Sequence, residues 1–76
     1  MREMEFKMER EGLLSVGDEL SVSESKLPSS WYYTIEHAYG MSANYSSGER
    51  LKSTRGKVKD IRQTPKGYYV IMEFDE

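Results

Sequence analysis

Residues 56–75 read GKVKDIRQTPKGYYVIMEFD, and this stretch is typical of a β-hairpin. Its turn is Thr64 to Gly67, because Pro65 suits the second position of a type I or II turn and glycine suits the fourth. Tyr68 to Asp75 then alternates in steps of two, with apolar side chains at every even position up to 74. The odd positions also begin with apolar side chains, which predicts a central strand or one whose second face is covered by an aromatic neighbour.

The arm before this turn is basic and extended from Glu49 to Gln63. Its apolar residues Val58 and Ile61 have opposite parity, so a regular strand would point them to opposite faces. A bulge near Lys59 and Asp60 would bring both side chains to one face. We therefore predict a bent strand.

Three earlier segments also alternate with a period of two, namely Arg2 to Arg10, Asp18 to Glu24 and Trp31 to Tyr39. This period is typical of strands with one buried face. The stretch at 40–49 is rich in serine and glycine, and we interpret it as a loop or a frayed edge strand.

The first of these segments has a helical alternative, because Met, Glu, Lys and Arg are strong helix formers. A helix would place Met4 and Met8 on one face but leave Phe6 well off it. A strand places all three on one face, so we favour the strand.

Five short strands with glycine-containing turns predict a single all-β domain over residues 1–76. The expected core is Phe6, Leu20, Val22, Tyr33, Ile35, Val58, Ile61, Val70, Met72 and Phe74.

Two motifs carry a resemblance to known folds. The segment Val16-Gly17-Asp18-Glu19-Leu20-x-Val22 is similar to the first strand of Tudor and KOW domains, and the closing hairpin resembles that of small SH3-like β-barrels. The hairpin also resembles the ends of short uncharacterised bacterial proteins. The resemblance implies a five-stranded SH3-like barrel, with an OB-fold as the alternative, and it implies no particular activity.

Composition excludes several kinds of site. The 76 residues contain no cysteine, so disulfides, thiolate metal sites and thiol nucleophiles are ruled out. The single histidine, His37, lies in an alternating aromatic segment, and we expect a structural role for it rather than a catalytic one. No phosphate-binding glycine motif or metal-ligand spacing is present. We therefore expect a protein that is not an enzyme, binds no cofactor or metal, and is cytoplasmic with no membrane segment.

Charge is sorted along the chain. Residues 1–25 carry seven acidic and three basic side chains, residues 50–66 carry one acidic and seven basic, and residues 67–76 carry three acidic. A basic strand between acidic neighbours can pair with them across the sheet, or it can track the phosphates of a nucleic acid. The net charge of −2 favours the first interpretation, since nucleic-acid-binding domains are usually basic overall.

These observations predict a non-catalytic interaction module that binds a protein partner through exposed aromatic side chains, because Tyr and Trp are enriched at interfaces. The main alternative is a nucleic-acid-binding barrel that uses the basic segment, and a third is an enzyme centred on His37. The candidate aromatic residues are Trp31, Tyr32, Tyr39, Tyr45 and Tyr69. The candidate basic residues are Arg50, Lys52, Arg55, Lys57, Lys59, Arg62 and Lys66. The oligomeric state is left open.

Overall fold

The computed structural model describes residues 1–8, 12, 14–36 and 40–76. Within these residues the chain forms a closed barrel of antiparallel strands and has no α-helix. The strands are β1 (Arg2–Met8), β2 (Glu19–Lys26), β3 (Trp31–Ile35), β4 (Gly40–Ser42), β5 (Arg55–Thr64) and β6 (Gly67–Phe74). A short 3-10 turn, Ser47–Glu49, lies between β4 and β5. The strand order around the barrel is β1-β4-β3-β2-β5-β6.

The first strand closes the barrel. Phe6 of β1 lies opposite Ser42 of β4 on one side and opposite Val70 of β6 on the other. β1 therefore joins the β2–β3–β4 meander to the β5–β6 hairpin. The predicted all-β small barrel is confirmed, and its architecture is consistent with the resemblance to small SH3-like barrels. The described residues form six strands rather than the five expected.

The additional strand is β4, which lies in the segment interpreted as a loop or frayed edge. Met41 pairs with Lys7 of β1 and with Thr34 of β3. Three residues are too few to show a period, so the pairing depends on partners far away in the sequence. Gly40 permits the close approach, because a Cβ there would lie 2.6 Å from the sulfur of Met8.

The predicted bulge in β5 is confirmed. The register with β6 shifts between Val58 and Asp60, which leaves Lys59 as the extra residue. As a result Val58 is buried and Ile61 packs against the core from the same side of the strand. The predicted turn at Thr64 to Gly67 is also confirmed, and β6 is a central strand between β1 and β5.

The first segment is a strand, as favoured, with Met4, Phe6 and Met8 buried and the residues between them exposed. Two predicted strands extend beyond the described residues. Residues 9 and 10 of the first predicted strand and residues 37–39 of the third fall outside that description.

The core fills the barrel interior. Eight of the ten predicted core residues are buried, while Leu20 and Ile61 are partly buried against the cluster. Met4, Met8, Leu14 and Leu51 join the core although they were not predicted. The rings of Phe6 and Phe74 meet with their centroids 6.5 Å apart. Because the interior is filled with side chains, the surface and the barrel ends remain as the places for function.

Candidate functional site

The structure brings most of the candidate residues into two groups. One group surrounds the start of β3 and the segment before β5, where Trp31 and Arg50 come together. The other group lies on the outer face near the β5–β6 turn, where Arg62 lies opposite Tyr69.

In the first group, Arg50 joins two strands. Its Nε and Nη2 atoms donate to the two carboxylate oxygens of Glu24 on β2, at 3.0 and 2.5 Å. Its guanidinium group also lies 4.9 Å from the centre of the Trp31 ring, within the range of a cation–π interaction. The hydrogen bond from Arg50 lowers the pKa of Glu24 below its usual value. The exposed Arg50 side chain therefore already has partners within the same chain.

Tyr33 extends this network into the core. Its hydroxyl donates to Glu24 Oε2 at 2.8 Å and accepts a hydrogen bond from the backbone N–H of Leu51 at 2.6 Å. Burial is the main cause that raises the pKa of Tyr33, and the hydrogen bond to Glu24 adds to it. The network attaches the segment before β5 to both β2 and β3.

A second set of contacts holds the same segment from the other side. Glu76 Oε2 accepts hydrogen bonds from the backbone N–H groups of Lys52 and Ser53 and from the Ser53 hydroxyl, at 3.0, 2.9 and 2.9 Å. Arg2 donates to Glu76 Oε1 and to the carbonyl oxygen of Arg50, each at 3.2 Å. Burial alone would raise the pKa of Glu76, but these hydrogen bonds outweigh it and the pKa is lowered.

Between β2 and residues 47–54 lies a groove of about 590 Å³, which we call the seam groove. Val22 and Glu24 line one wall, Leu51 and Thr54 line the other, and Tyr33 also lines it. The seam groove lies where β2 and β5 part from each other.

On the outer face, a cross-strand row runs through Met41, Lys7, Tyr69 and Arg62, each directly opposite the next on β4, β1, β6 and β5. Two depressions share Tyr69 and Glu5, one of about 390 Å³ towards the β5–β6 turn and one of about 420 Å³ towards β4. We call this the Tyr69 surface. It comprises Glu5, Lys7, Met41, Tyr45, Arg62, Pro65, Lys66 and Tyr69.

The basic segment pairs with acidic neighbours across the sheet. Lys57 lies opposite Glu19 on one side and Glu73 on the other. Lys59 forms an ion pair with Glu3 of β1, whereas Arg62 pairs at 3.1 Å with Asp60 of its own strand. With the Arg50–Glu24 pair, three of the seven basic candidates are in ion pairs.

The remaining aromatic candidates are dispersed. Tyr32 of β3 lies opposite Ser25 of β2 and lines neither depression of the Tyr69 surface. Tyr45 belongs to the Tyr69 surface and also forms a backbone bridge with Trp31. Tyr39 and His37 lie outside the described residues.

Sequence reasoning missed Lys7, Met41 and Glu24. No local pattern marks Lys7 or Met41, because both join the surface only through the pairing of β1 with β4 and β6. No local pattern marks Glu24 either, because its partners Tyr33 and Arg50 lie on β3 and in the segment before β5.

No protein-family model, curated protein or solved structure matches this chain. In the part of the chain that the structure describes, no group of three or more acidic, histidine or cysteine side chains is arranged to hold a metal ion. Among the same residues, no helix is long and apolar enough to cross a membrane.

Proposed function

We propose that the protein is a non-catalytic interaction module that binds an extended segment of a partner protein across the Tyr69 surface. The observation that carries this proposal is the pair of depressions on either side of one half-buried tyrosine. A tyrosine ring offers a large contact area at a low entropy cost and keeps a polar tip for a hydrogen bond.

The shape of the surface defines the segment. Two depressions flanking one ring suit two apolar side chains, one on each side of Tyr69. Met41 is 50% exposed at one end of the row, and Pro65 lines the depression at the other end. Both offer apolar contact that a partner segment would cover.

Charge defines the flanks of the segment. Among the described residues, neither Lys7 nor Lys66 is in an ion pair, and one lines each depression. Glu5 lines both depressions, and its one negative charge against the positive charges of Lys7 and Lys66 leaves the surface with a small net positive charge. The partner segment therefore carries acidic residues outside its two apolar ones, which is the complementary arrangement.

The nucleic-acid alternative rests on the basic candidates outside ion pairs among the described residues, which are Lys52, Arg55, Lys57 and Lys66. Lys57 already has an acidic neighbour on each side, and Lys52 and Lys66 lie at opposite ends of β5. This distribution supports the protein partner over a phosphate backbone.

The test is an NMR titration of the ¹⁵N-labelled protein with a synthetic peptide that has two phenylalanines separated by one residue and flanked by aspartates. Shifts are expected at Lys7, Tyr69 and Lys66. Replacing Tyr69 with alanine should weaken binding by roughly tenfold or more, the loss typical of a central aromatic contact. Tyr32→Ala is the matched control, because Tyr32 is also a half-buried strand tyrosine but lies elsewhere.

A single-stranded oligonucleotide titrated separately measures the alternative. Shifts at Arg55 and Lys57 that disappear steeply as salt rises would replace the proposal with nucleic-acid binding. Equal peptide affinities for the Tyr69→Ala and Tyr32→Ala variants would also contradict it.

A further inference from the structure

We infer that β2 carries a second binding site, a free strand edge at Glu24 and Lys26 to which an extended polypeptide adds by backbone hydrogen bonding. This site lies at the seam groove, away from the Tyr69 surface, and its ligand is recognised first through its main chain. The inference stands independently of the function proposed for the Tyr69 surface.

The edge exists because the two neighbours of β2 cover different lengths of it. β3 pairs with β2 from Val22 to Lys26. On the other side β5 pairs only from Glu19 to Ser21, extended by one hydrogen bond from the Val22 N–H to the Thr54 carbonyl at 2.8 Å. Beyond Val22, the β5 side of β2 has no strand partner among the described residues.

The direction of the backbone groups follows from the antiparallel pattern, in which alternate residues point their N–H and C=O groups to the same neighbour. Val22 points its N–H towards β5, so Glu24 and Lys26 point theirs to that same side. The residues opposite them on β3, Tyr33 and Trp31, also direct their backbone groups away from β2. The Trp31 backbone exchanges hydrogen bonds with Tyr45, and the Tyr33 N–H donates to the Ser42 hydroxyl.

The opposite wall of the seam groove does not satisfy this edge. The backbone N–H groups of Lys52 and Ser53 donate to Glu76 instead of to β2. The Leu51 N–H donates to the Tyr33 hydroxyl. These hydrogen bonds hold the wall in place and use the backbone N–H groups of residues 51–53. Those N–H groups are therefore not donated to the carbonyl groups of β2, and the groove stays open beside the edge.

The ligand is a short extended segment of a protein partner. Ser23 to Lys26 spans roughly 13 Å, at about 3.3 Å per residue, which is enough for about four residues of added strand. Val22 and Leu51 are the aliphatic residues of a groove whose other lining residues are mostly polar, so a small apolar side chain of the ligand fits against these two. Lys52 is exposed on the far wall and Lys26 at the end of the edge, so acidic side chains fit outside it.

The first test measures, by amide hydrogen exchange in the free protein, whether the backbone N–H groups of the edge are without hydrogen-bond partners. The amides of Glu24 and Lys26 should exchange quickly, whereas those of Val22 and Ser25 should be protected by β5 and β3. Protection of Glu24 and Lys26 equal to that of Ser25 would overturn the inference.

The second test uses a seven-residue peptide of alternating glutamate and valine, and the same peptide N-methylated at alternate residues. The unmodified peptide should protect the Glu24 and Lys26 amides. The methylated peptide keeps every side chain but loses donors on one edge, and it should bind at least tenfold more weakly.

Two variants of one residue complete the design. Lys26→Ala removes the side chain and its charge but keeps the N–H. Lys26→Pro removes the N–H that the ligand would use as well, and it should bind at least tenfold more weakly than Lys26→Ala. Equal binding of the two peptides, equal binding by the two variants, or no protection of either amide at millimolar peptide would overturn the inference. A spectrum of Lys26→Pro without its native dispersion would leave the peptide pair as the deciding measurement.

Discussion

Glu24 and Tyr33 lie directly opposite each other on β2 and β3, and the Tyr33 hydroxyl donates a 2.8 Å hydrogen bond to the Glu24 carboxylate. The same hydroxyl accepts the backbone N–H of Leu51. A single buried hydroxyl therefore connects two strands and the segment that leads into β5. This segment forms one wall of the seam groove, so the hydrogen bond from Leu51 to Tyr33 helps to hold that wall in place.

Replacing Tyr33 with phenylalanine should destabilise the protein by about 1–3 kcal/mol, because the buried Leu51 N–H would lose its acceptor. Urea unfolding followed by tryptophan fluorescence measures the change. Tyr32→Phe is the control, since Tyr32 lies on the same strand and is only half-buried, and its effect should stay within about 0.5 kcal/mol. Equal stability of the two variants would show that Leu51 finds another acceptor.

Acid should weaken the fold through Glu24. Its pKa is lowered in the folded protein, first by the hydrogen bond from Arg50, so its contribution is present above the ordinary glutamate pKa. The contribution is lost as the pH falls through the lowered, folded pKa. Glu76 also has a lowered pKa and acts in the same direction.

Urea midpoints measured from about pH 6 to about pH 3 should therefore fall towards the acid end. The Glu24→Gln variant should be less stable at the neutral end and show a shallower decline. If the urea midpoint of Glu24→Gln fell as steeply with pH as that of the unmodified protein, Glu24 would not be a cause of the acid sensitivity.

The close packing of Gly56 gives a further prediction. A Cβ at this position would lie 2.6 Å from Cε1 of Phe74 and 2.9 Å from the carbonyl oxygen of Glu73. Gly56→Ala should therefore destabilise the protein by about 1–3 kcal/mol, as overpacking does. Gly48→Ala is the control, because nothing lies within 4 Å of a Cβ there, and its urea midpoint should be unchanged or slightly raised.

The charges that face each other across β2, β5 and β6 should contribute to the stability of the fold. Lys57→Glu would place three acidic side chains side by side on β2, β5 and β6, since Lys57 lies between Glu19 and Glu73. The expected destabilisation is roughly 1–3 kcal/mol, from the loss of two favourable pairs and the gain of two unfavourable ones. The effect should shrink as salt is raised, because exposed charges are screened.

The charge-reversed double variant Lys57→Glu with Glu73→Lys should recover part of this loss, because opposite charges then face each other again. Lys66→Glu, at the hairpin turn, serves as the control with an expected change within about 0.5 kcal/mol. A loss in the Lys66→Glu variant equal to that of Lys57→Glu would assign the effect to net charge instead of to cross-strand pairing.

The sequence by itself determined the strands and several of their details. A period of two identified the strand character of β1, β2, β3 and β6, because alternation records which face of a strand is buried. The opposite parity of Val58 and Ile61 located the bulge, and the spacing of Pro65 and Gly67 located the turn. These features depend on neighbouring residues, so a local pattern contains them.

Only the tertiary structure decided how the strands meet. The three residues of β4 carry no period, and Leu14 and Leu51 are buried from irregular segments, so their places depend on partners far along the chain. The same holds for the candidate surfaces. Met41, Lys7, Tyr69 and Arg62 form one row only because β1 inserts between β4 and β6. The free edge of β2 exists only because the segment before Thr54 does not continue the pairing of β5 with β2. Periodicity records burial but not which strand lies beside which.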